Sequence, residues 1–169
     1  MSKPKTLWIV CGSLVFLVLA PGTVAGVIPY SLTGWRMGGP FMGVTIIPFA
    51  GALLVVAGLA SLLDSFARFV FEGVGTPAPV APPRHLVVSG QYRYVRNPMY
   101  VAVLFMVVGQ SLVLGSVALL RYAAVLWIIF HTLVILYEEP KLVSQFGASY
   151  QAYCRNVRRW WPRVRRWNS

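Results

Sequence analysis

Apolar residues run along this chain in long blocks separated by short polar segments. The blocks cover Leu7 to about Ser31, Phe41 to Leu63, Pro98 to Leu120 and Tyr122 to Tyr137. Runs of about 20 apolar residues are what a helix needs to cross roughly 30 Å of hydrocarbon. The pattern therefore predicts an all-α fold, an integral membrane helical bundle of about four transmembrane helices. The fourth block is short for a span and is expected to continue as helix into Glu138 and Glu139. Glycines and prolines interrupt the blocks (Pro21, Pro29, Gly51, Gly58 and Gly109 among them). Membrane helices accommodate such residues where neighbours re-satisfy the backbone, and small residues let helices approach closely. Lys3 and Lys5 followed by an apolar run and "GTVAG" have the outline of a signal peptide. The run outlasts an ordinary signal core and other spans follow, which favours a retained helix. Residues 1–71 are expected to form an N-terminal helix pair, and 72–169 a second module of loop, two helices and tail.

Composition agrees with this pattern. Of 169 residues, 57% are hydrophobic and 11% charged, against about a quarter charged in soluble domains. The formal net charge is +11, from fifteen Lys and Arg against four Asp and Glu. These basic residues flank apolar spans, so anionic lipid explains them and no nucleic acid is expected as a partner. Four spans put both termini on one side. If that side is cytoplasmic, every Lys and Arg except Arg36 and Arg121 lies inside, which fits the positive-inside tendency. A multi-pass protein of a bacterial inner membrane is expected, both termini cytoplasmic, with no obligate protein partner. Cys11 and Cys154 are far apart and form no metal-ligand spacing, so no metal is expected.

Chemistry is then expected in the inside loop, from about Asp64 to Asn97, and in the tail from Glu138. The stretch from Glu72 to Pro83, with Pro77, Pro79, Pro82 and Pro83, reads as an extended connector. Beyond it, "HLVVSGQYRYV" is a short segment turning at Ser89-Gly90. Asn97 and Pro98 suit the N-cap and first position of the next helix. That helix would present its free N–H groups to the loop beside Arg93 and Arg96, a natural place for a carboxylate or phosphate. Glu138 and Glu139, an acidic pair at a membrane boundary in a basic protein, call for a partner. Leu142, Phe146, Tyr150 and Tyr153 recur at helical spacing and predict an amphipathic helix containing Gly147. "RRWWPRVRRW" is a basic and aromatic interfacial anchor. His131, one heptad before Glu138, is expected on the same helix face as a hydrogen-bonded residue, and His85 is placed to contact a ligand.

Two segments in this order and spacing carry a family resemblance. "PPRHLVVSGQYRYVRNPMY" resembles the P-P-x-x-L-x-x-x-G-x-Y-x-x-x-R-[H/N]-P-x-Y segment of the isoprenylcysteine carboxyl methyltransferase and phospholipid methyltransferase superfamily. "EEPKLVSQFGASYQAYCRNVRRWWP" resembles its E-E-x-x-L-x-x-x-F-G-x-x-Y-x-x-Y tail. The resemblance implies a membrane methyltransferase that uses S-adenosyl-L-methionine, held at the cytoplasmic face between the Asn-Pro helix start and the tail. Carried over, the cofactor contacts are Arg84, His85, Leu86, Val87, Tyr92, Asn97, Pro98, Met99, Tyr100 and Glu138. The residue chemistry agrees: a helix N-terminus suits the methionyl carboxylate, an aromatic face suits a sulfonium, and a carboxylate suits the amino group or ribose hydroxyls. The acceptor implied is lipophilic or small. Arg159 would orient a carboxylate acceptor, and Glu139 would take the proton of an amine acceptor.

Three positions depart from the pattern. Asn97 stands where many members have His, and it cannot act as a base. Val134 stands where eukaryotic prenylcysteine enzymes carry an Arg that holds the substrate. Arg158 replaces a common Pro beside Arg159. The alternatives are an NADPH-dependent membrane reductase of the sterol type and a non-catalytic membrane relative.

Overall fold

The structure is a computed structural model that describes residues 3–73 and 85–167. Most of the expected proline-rich connector (residues 74–83) and the expected cofactor contact Arg84 lie outside the described residues.

Helix α1 (Lys3–Gly22), a single π turn (Thr23–Val27) and α2 (Ile28–Thr33) follow one another without a break. In the π turn, Ile28 N donates five residues back to Thr23, which frees the Val24 carbonyl. Pro29, lacking an N–H, leaves the Ala25 carbonyl without its helical donor. Both carbonyls are satisfied from neighbouring helices. The Tyr122 hydroxyl donates to Val24 O at 2.9 Å and Gln110 Nε2 to Ala25 O at 2.8 Å. Side chains of later helices thus repair the helix that proline and π geometry open.

Helix α3 (Ile47–Gly73) begins six residues later than its apolar block and extends ten residues beyond it. The extension holds because Asp64, Arg68 and Glu72 sit at i, i+4 spacing, with Arg68 Nε 3.0 Å from Asp64 and Arg68 Nη1 3.5 Å from Glu72. The expected inside loop is therefore helical from Asp64 to Gly73. Helix α4 (Pro98–Leu114) lies antiparallel against α3 in a seam of small residues. A Cβ on Gly51 would come 2.6 Å from Gly109 O, and one on Gly58 would come 2.8 Å from Ala102 O. The heptad spacing of the seam on both helices lets the backbones touch.

The block expected to run to Leu120 ends at Leu114, because Gly115 turns left-handed at φ 62°. Ser116 caps the next helix, its hydroxyl accepting from Leu119 N at 3.4 Å. That helix is α5 (Val117–Leu133), followed by a second π turn (Val134–Glu138) and α6 (Glu139–Phe146). As expected, the fourth apolar block continues as helix through the glutamates. Cys11–Thr33, Ile47–Glu72 and Val117–Phe146 are long and apolar enough to cross a membrane, whereas Pro98–Leu114 is apolar but shorter.

The expected amphipathic tail helix is two helices. Gly147, at φ 52° and ψ −124°, separates α6 from α7 (Ala148–Asn156). The stripe nevertheless stays together. Tyr150, Tyr153 and Val157 are buried with Leu142, Phe146, Leu86 and Val88 packed against them. Its apolar face thus packs on the loop segment that precedes α4. After α7 the chain runs back along that segment as a strap. Val95 and Arg158 pair as an isolated parallel bridge. Arg96 N donates to Arg158 O at 2.9 Å, Arg163 N to Tyr94 O at 3.0 Å and Trp167 N to Arg93 O at 3.2 Å.

Candidate active site

A cavity of about 290 Å³ opens where the loop segment, α4, α6 and α7 meet α1 and α3. His85, Leu86, Val87, Tyr92, Asn97, Pro98, Met99, Tyr100 and Glu138 all line it. Every described residue expected to touch the cofactor is therefore brought to one cavity. The helices α1 and α3 add an apolar wall that includes Phe16, Ala20, Phe66 and Phe69. Sites for small molecules commonly occupy about 300–1,000 Å³, mostly apolar with a few convergent polar groups.

The loop is held from three sides. Gly90 takes φ 49°, beginning a tight 3₁₀ turn (Gly90–Arg93) as the Ser89-Gly90 reading predicts. A Cβ there would lie 2.1 Å from Arg68 Nε, so the Arg68 side chain occupies the space a larger residue would need. Gln91 reaches α3, its amide nitrogen lying 3.4 Å from both Ser61 O and Asp64 Oδ2. Tyr92 is buried, its hydroxyl donating to Ser65 O at 3.4 Å, and its own carbonyl accepts from the Tyr153 hydroxyl at 2.6 Å. Burial pushes the Tyr92 and Tyr153 phenols well above their ordinary range, so both stay protonated.

Asn97 occupies the N-cap position of α4, but its side chain makes no capping bond. Its Nδ2 donates instead to Arg159 O at 3.1 Å, tying the helix start to the strap. With Pro98 next, the first turn of α4 opens on the cavity through Pro98, Met99 and Tyr100.

The two glutamates have different surroundings. Glu138, the last residue of the second π turn, accepts a hydrogen bond from the Tyr100 hydroxyl across the cavity wall. The Tyr100 ring packs against Phe130 at a centroid distance of 4.5 Å. Glu139 is instead fixed by two arginines. Arg159 grips it bidentately at 2.6 and 2.8 Å, and Arg96 Nη1 lies 3.1 Å from it. The bond to Glu139 raises the pKa of Arg159.

The residues expected to be catalytic, Arg159 and Glu139, are thus paired with each other and are not among the cavity's lining residues. A carboxylate whose lone pairs are taken by two guanidinium groups is a weak proton acceptor. His131 also differs from the expected placement on the Glu138 face. Its Nδ1 accepts from Trp160 Nε1 at 3.0 Å, and its ring stacks on Trp127. Two basic lining residues stand outside the cofactor contacts that the resemblance implies, although the sequence reading places Arg96 beside an anion at the helix start. Arg96 lies just before the helix start, and Lys141 lies one turn beyond Glu138 on α6, a spacing that marks it in the sequence. Cys154 Sγ receives Arg96 Nη1 at 2.6 Å.

Residues 46–149 match the phospholipid methyltransferase family, well over half of the chain. The chain belongs to this family. It is 41% identical over 73 residues to the protein-S-isoprenylcysteine O-methyltransferase of Schizosaccharomyces pombe, covering 43% of this chain and 30% of that protein. It is 37% identical over 82 residues to the Delta(14)-sterol reductase TM7SF2 of Mus musculus, covering 47% of this chain and 19% of that one. The chain spans less than a third of the length of these curated relatives. Family and apolar helices together make it an integral membrane protein of the phospholipid methyltransferase family.

Proposed function

We propose that this protein transfers a methyl group from S-adenosyl-L-methionine to a lipophilic or small acceptor at the membrane surface. The observation that carries the reading is the convergence of Tyr100, Glu138 and the α4 helix start on one cavity with an apolar wall. The donor set suits the cofactor. Glu138 would hold the amino group or ribose hydroxyls, and Tyr100 keeps that carboxylate aimed. The start of α4, with Arg96 and Lys141 nearby, suits the methionyl carboxylate. The rings of Tyr92 and Tyr100 offer aromatic faces to a sulfonium. His85, Leu86 and Val87, with Arg84 before them, would close the adenosine end.

When bound, the cofactor supplies an activated methyl group, so the protein's work is alignment and exclusion of water. The apolar residues of α1 and α3 would admit the acceptor from the bilayer and keep the cavity dry. Arg159 and Glu139 act in this reading as positioning groups: their ion pair, with Asn97 on the Arg159 carbonyl, sets the strap and the α4 start in register. An amine acceptor would have to arrive unprotonated or lose its proton elsewhere than to Glu139. In this reading the termini face the cytoplasm, where the cofactor is made and where the basic flank meets anionic lipid.

The sterol reductase similarity favours a second reading, NADPH-dependent reduction in the same cavity. Calorimetric titration of the purified protein with each cofactor separates the two. Saturable binding of S-adenosyl-L-methionine, weakened in Glu138→Gln, is expected; binding of NADPH alone would overturn the proposal. Methyl-labelled cofactor added to membranes with and without the protein would identify the acceptor from the labelled product.

A further inference from the structure

The strap that follows α7 has two faces with opposite chemistry. Inward, its backbone is bonded to residues 93–96, Val157 is buried, Arg159 holds Glu139, and Trp160 donates to His131. Outward, Arg158, Arg165 and Arg166 of the strap are exposed, as is Arg155 in the last turn of α7. Between them Trp161 is 75% exposed and Val164 99% exposed. Among the described residues none of these four arginines is in an ion pair.

Among the described residues no acidic side chain pairs with them. The four acids are Asp64, Glu72, Glu138 and Glu139. Asp64 and Glu72 are held by Arg68, Glu139 by Arg96 and Arg159, and Glu138 lines the cavity with its carboxylate toward Tyr100. The counter-charge for the outward face must come from outside the chain. A soluble anion would satisfy the arginines but leave Trp161 and Val164 in water. An anionic bilayer surface satisfies both, offering phosphates to guanidinium groups and an interfacial layer that favours tryptophan. The strap also lies at the end of the bundle where α4 begins and the charged end of α3 emerges, so a bilayer surface is within reach.

We propose that the outward face of the strap is a docking surface for anionic lipid headgroups, which seat Trp161 and Val164 in the bilayer interface and press the strap onto the loop before α4. This goes beyond methyl transfer and does not depend on it.

The test uses the full chain in nanodiscs of tail-brominated lipid, without cofactor. The quenching owed to Trp161 is the difference between the wild type and Trp161→Phe. With phosphatidylglycerol present Trp161 should be strongly quenched, and with phosphatidylcholine alone weakly. Replacing Arg155, Arg158, Arg165 and Arg166 together by Gln should weaken the apparent phosphatidylglycerol dependence by about tenfold or more. Inorganic phosphate at matching concentration should not release Trp161, whereas release would mean a simple anion site and overturn the proposal. Equal quenching in both lipids, or unchanged quenching in the quadruple variant, would also overturn it. If that variant does not fold, a salt series on the wild type decides instead. Near 1 M salt the screening length falls to about 3 Å, so quenching must drop; salt-insensitive quenching refutes docking by charge.

Discussion

At the scale of single residues, adjacent glutamates are given different work by their partners. Glu138 faces a hydroxyl and the cavity, whereas Glu139 is locked between Arg96 and Arg159. Glu138→Gln should leave the fold intact and weaken S-adenosyl-L-methionine affinity by about ten- to a hundredfold, the size of one hydrogen bond to a charged group. Glu139→Gln should do the reverse, lowering the melting temperature and leaving the purified protein's cofactor affinity within a few-fold. A double-mutant cycle on Arg159→Ala and Glu139→Ala, read by thermal melting in detergent, should give a coupling of about 1–3 kcal/mol, because the pair is bidentate and partly buried. The sequence named both glutamates and assigned Glu138 to the cofactor, but it cast Glu139 as a proton acceptor and did not reveal its two arginine partners. Which arginine reaches which carboxylate depends on the strap folding back, where the Val95–Arg158 pairing and the Asn97 bond to Arg159 O set Arg159 in place.

Among elements, the α3–α4 seam is the most exacting contact. With Gly51 against Gly109 O and Gly58 against Ala102 O, any added Cβ must push two backbones apart. Gly109→Val should destabilise the protein by about 1–3 kcal/mol, as overpacking does, and the loss should show as a lower melting temperature in detergent. The same change at Gly22, where a Cβ would meet nothing within 4 Å, should be milder. The spans themselves were largely legible, because blocks of apolar residues state their solvent directly. Their ends were less so. Asp64, Arg68 and Glu72 read as loop by polarity but are helix by spacing. Pro98 to Leu120 reads as one apolar stretch, although Gly115 and Ser116 turn it. The expected shared face of His131 and Glu138 failed because an unseen π turn lies between them. The available signal was Pro140, two residues past that turn, as Pro29 is two past the first.

For the whole molecule, the buried tyrosines that fasten the strap and α7 to the loop set an alkaline limit. Tyr92, Tyr150 and Tyr153 all have pKa values raised by burial. An unfolded tyrosine releases its proton near pH 10, whereas these retain theirs while folded. Their contribution is therefore complete below about pH 10 and is lost as the pH rises toward the raised folded values. Stability in detergent should hold from pH 7 to about 9.5 and fall above it, by up to about 1.4 kcal/mol per pH unit for each such group, seen as a falling melting temperature. Tyr153→Phe should flatten that fall while lowering stability at neutral pH through the lost bond to Tyr92 O.

The π turn at Val134–Glu138 has a consequence for how this chain tolerates gain and loss of residues. Such a turn accommodates one residue more than an α-helix needs, while the helix on either side keeps its heading. Deleting Ile135 would close the turn into ordinary helix, leaving α5 on its neighbours and Glu138 still toward Tyr100. In an unbroken α-helix of the present length, Glu138 would instead stand about 100° away from where it is. The glutamate's aim thus depends on a single surplus residue, and a comparison of homologous chains should align Glu138 by counting back from Pro140, not forward from Val117.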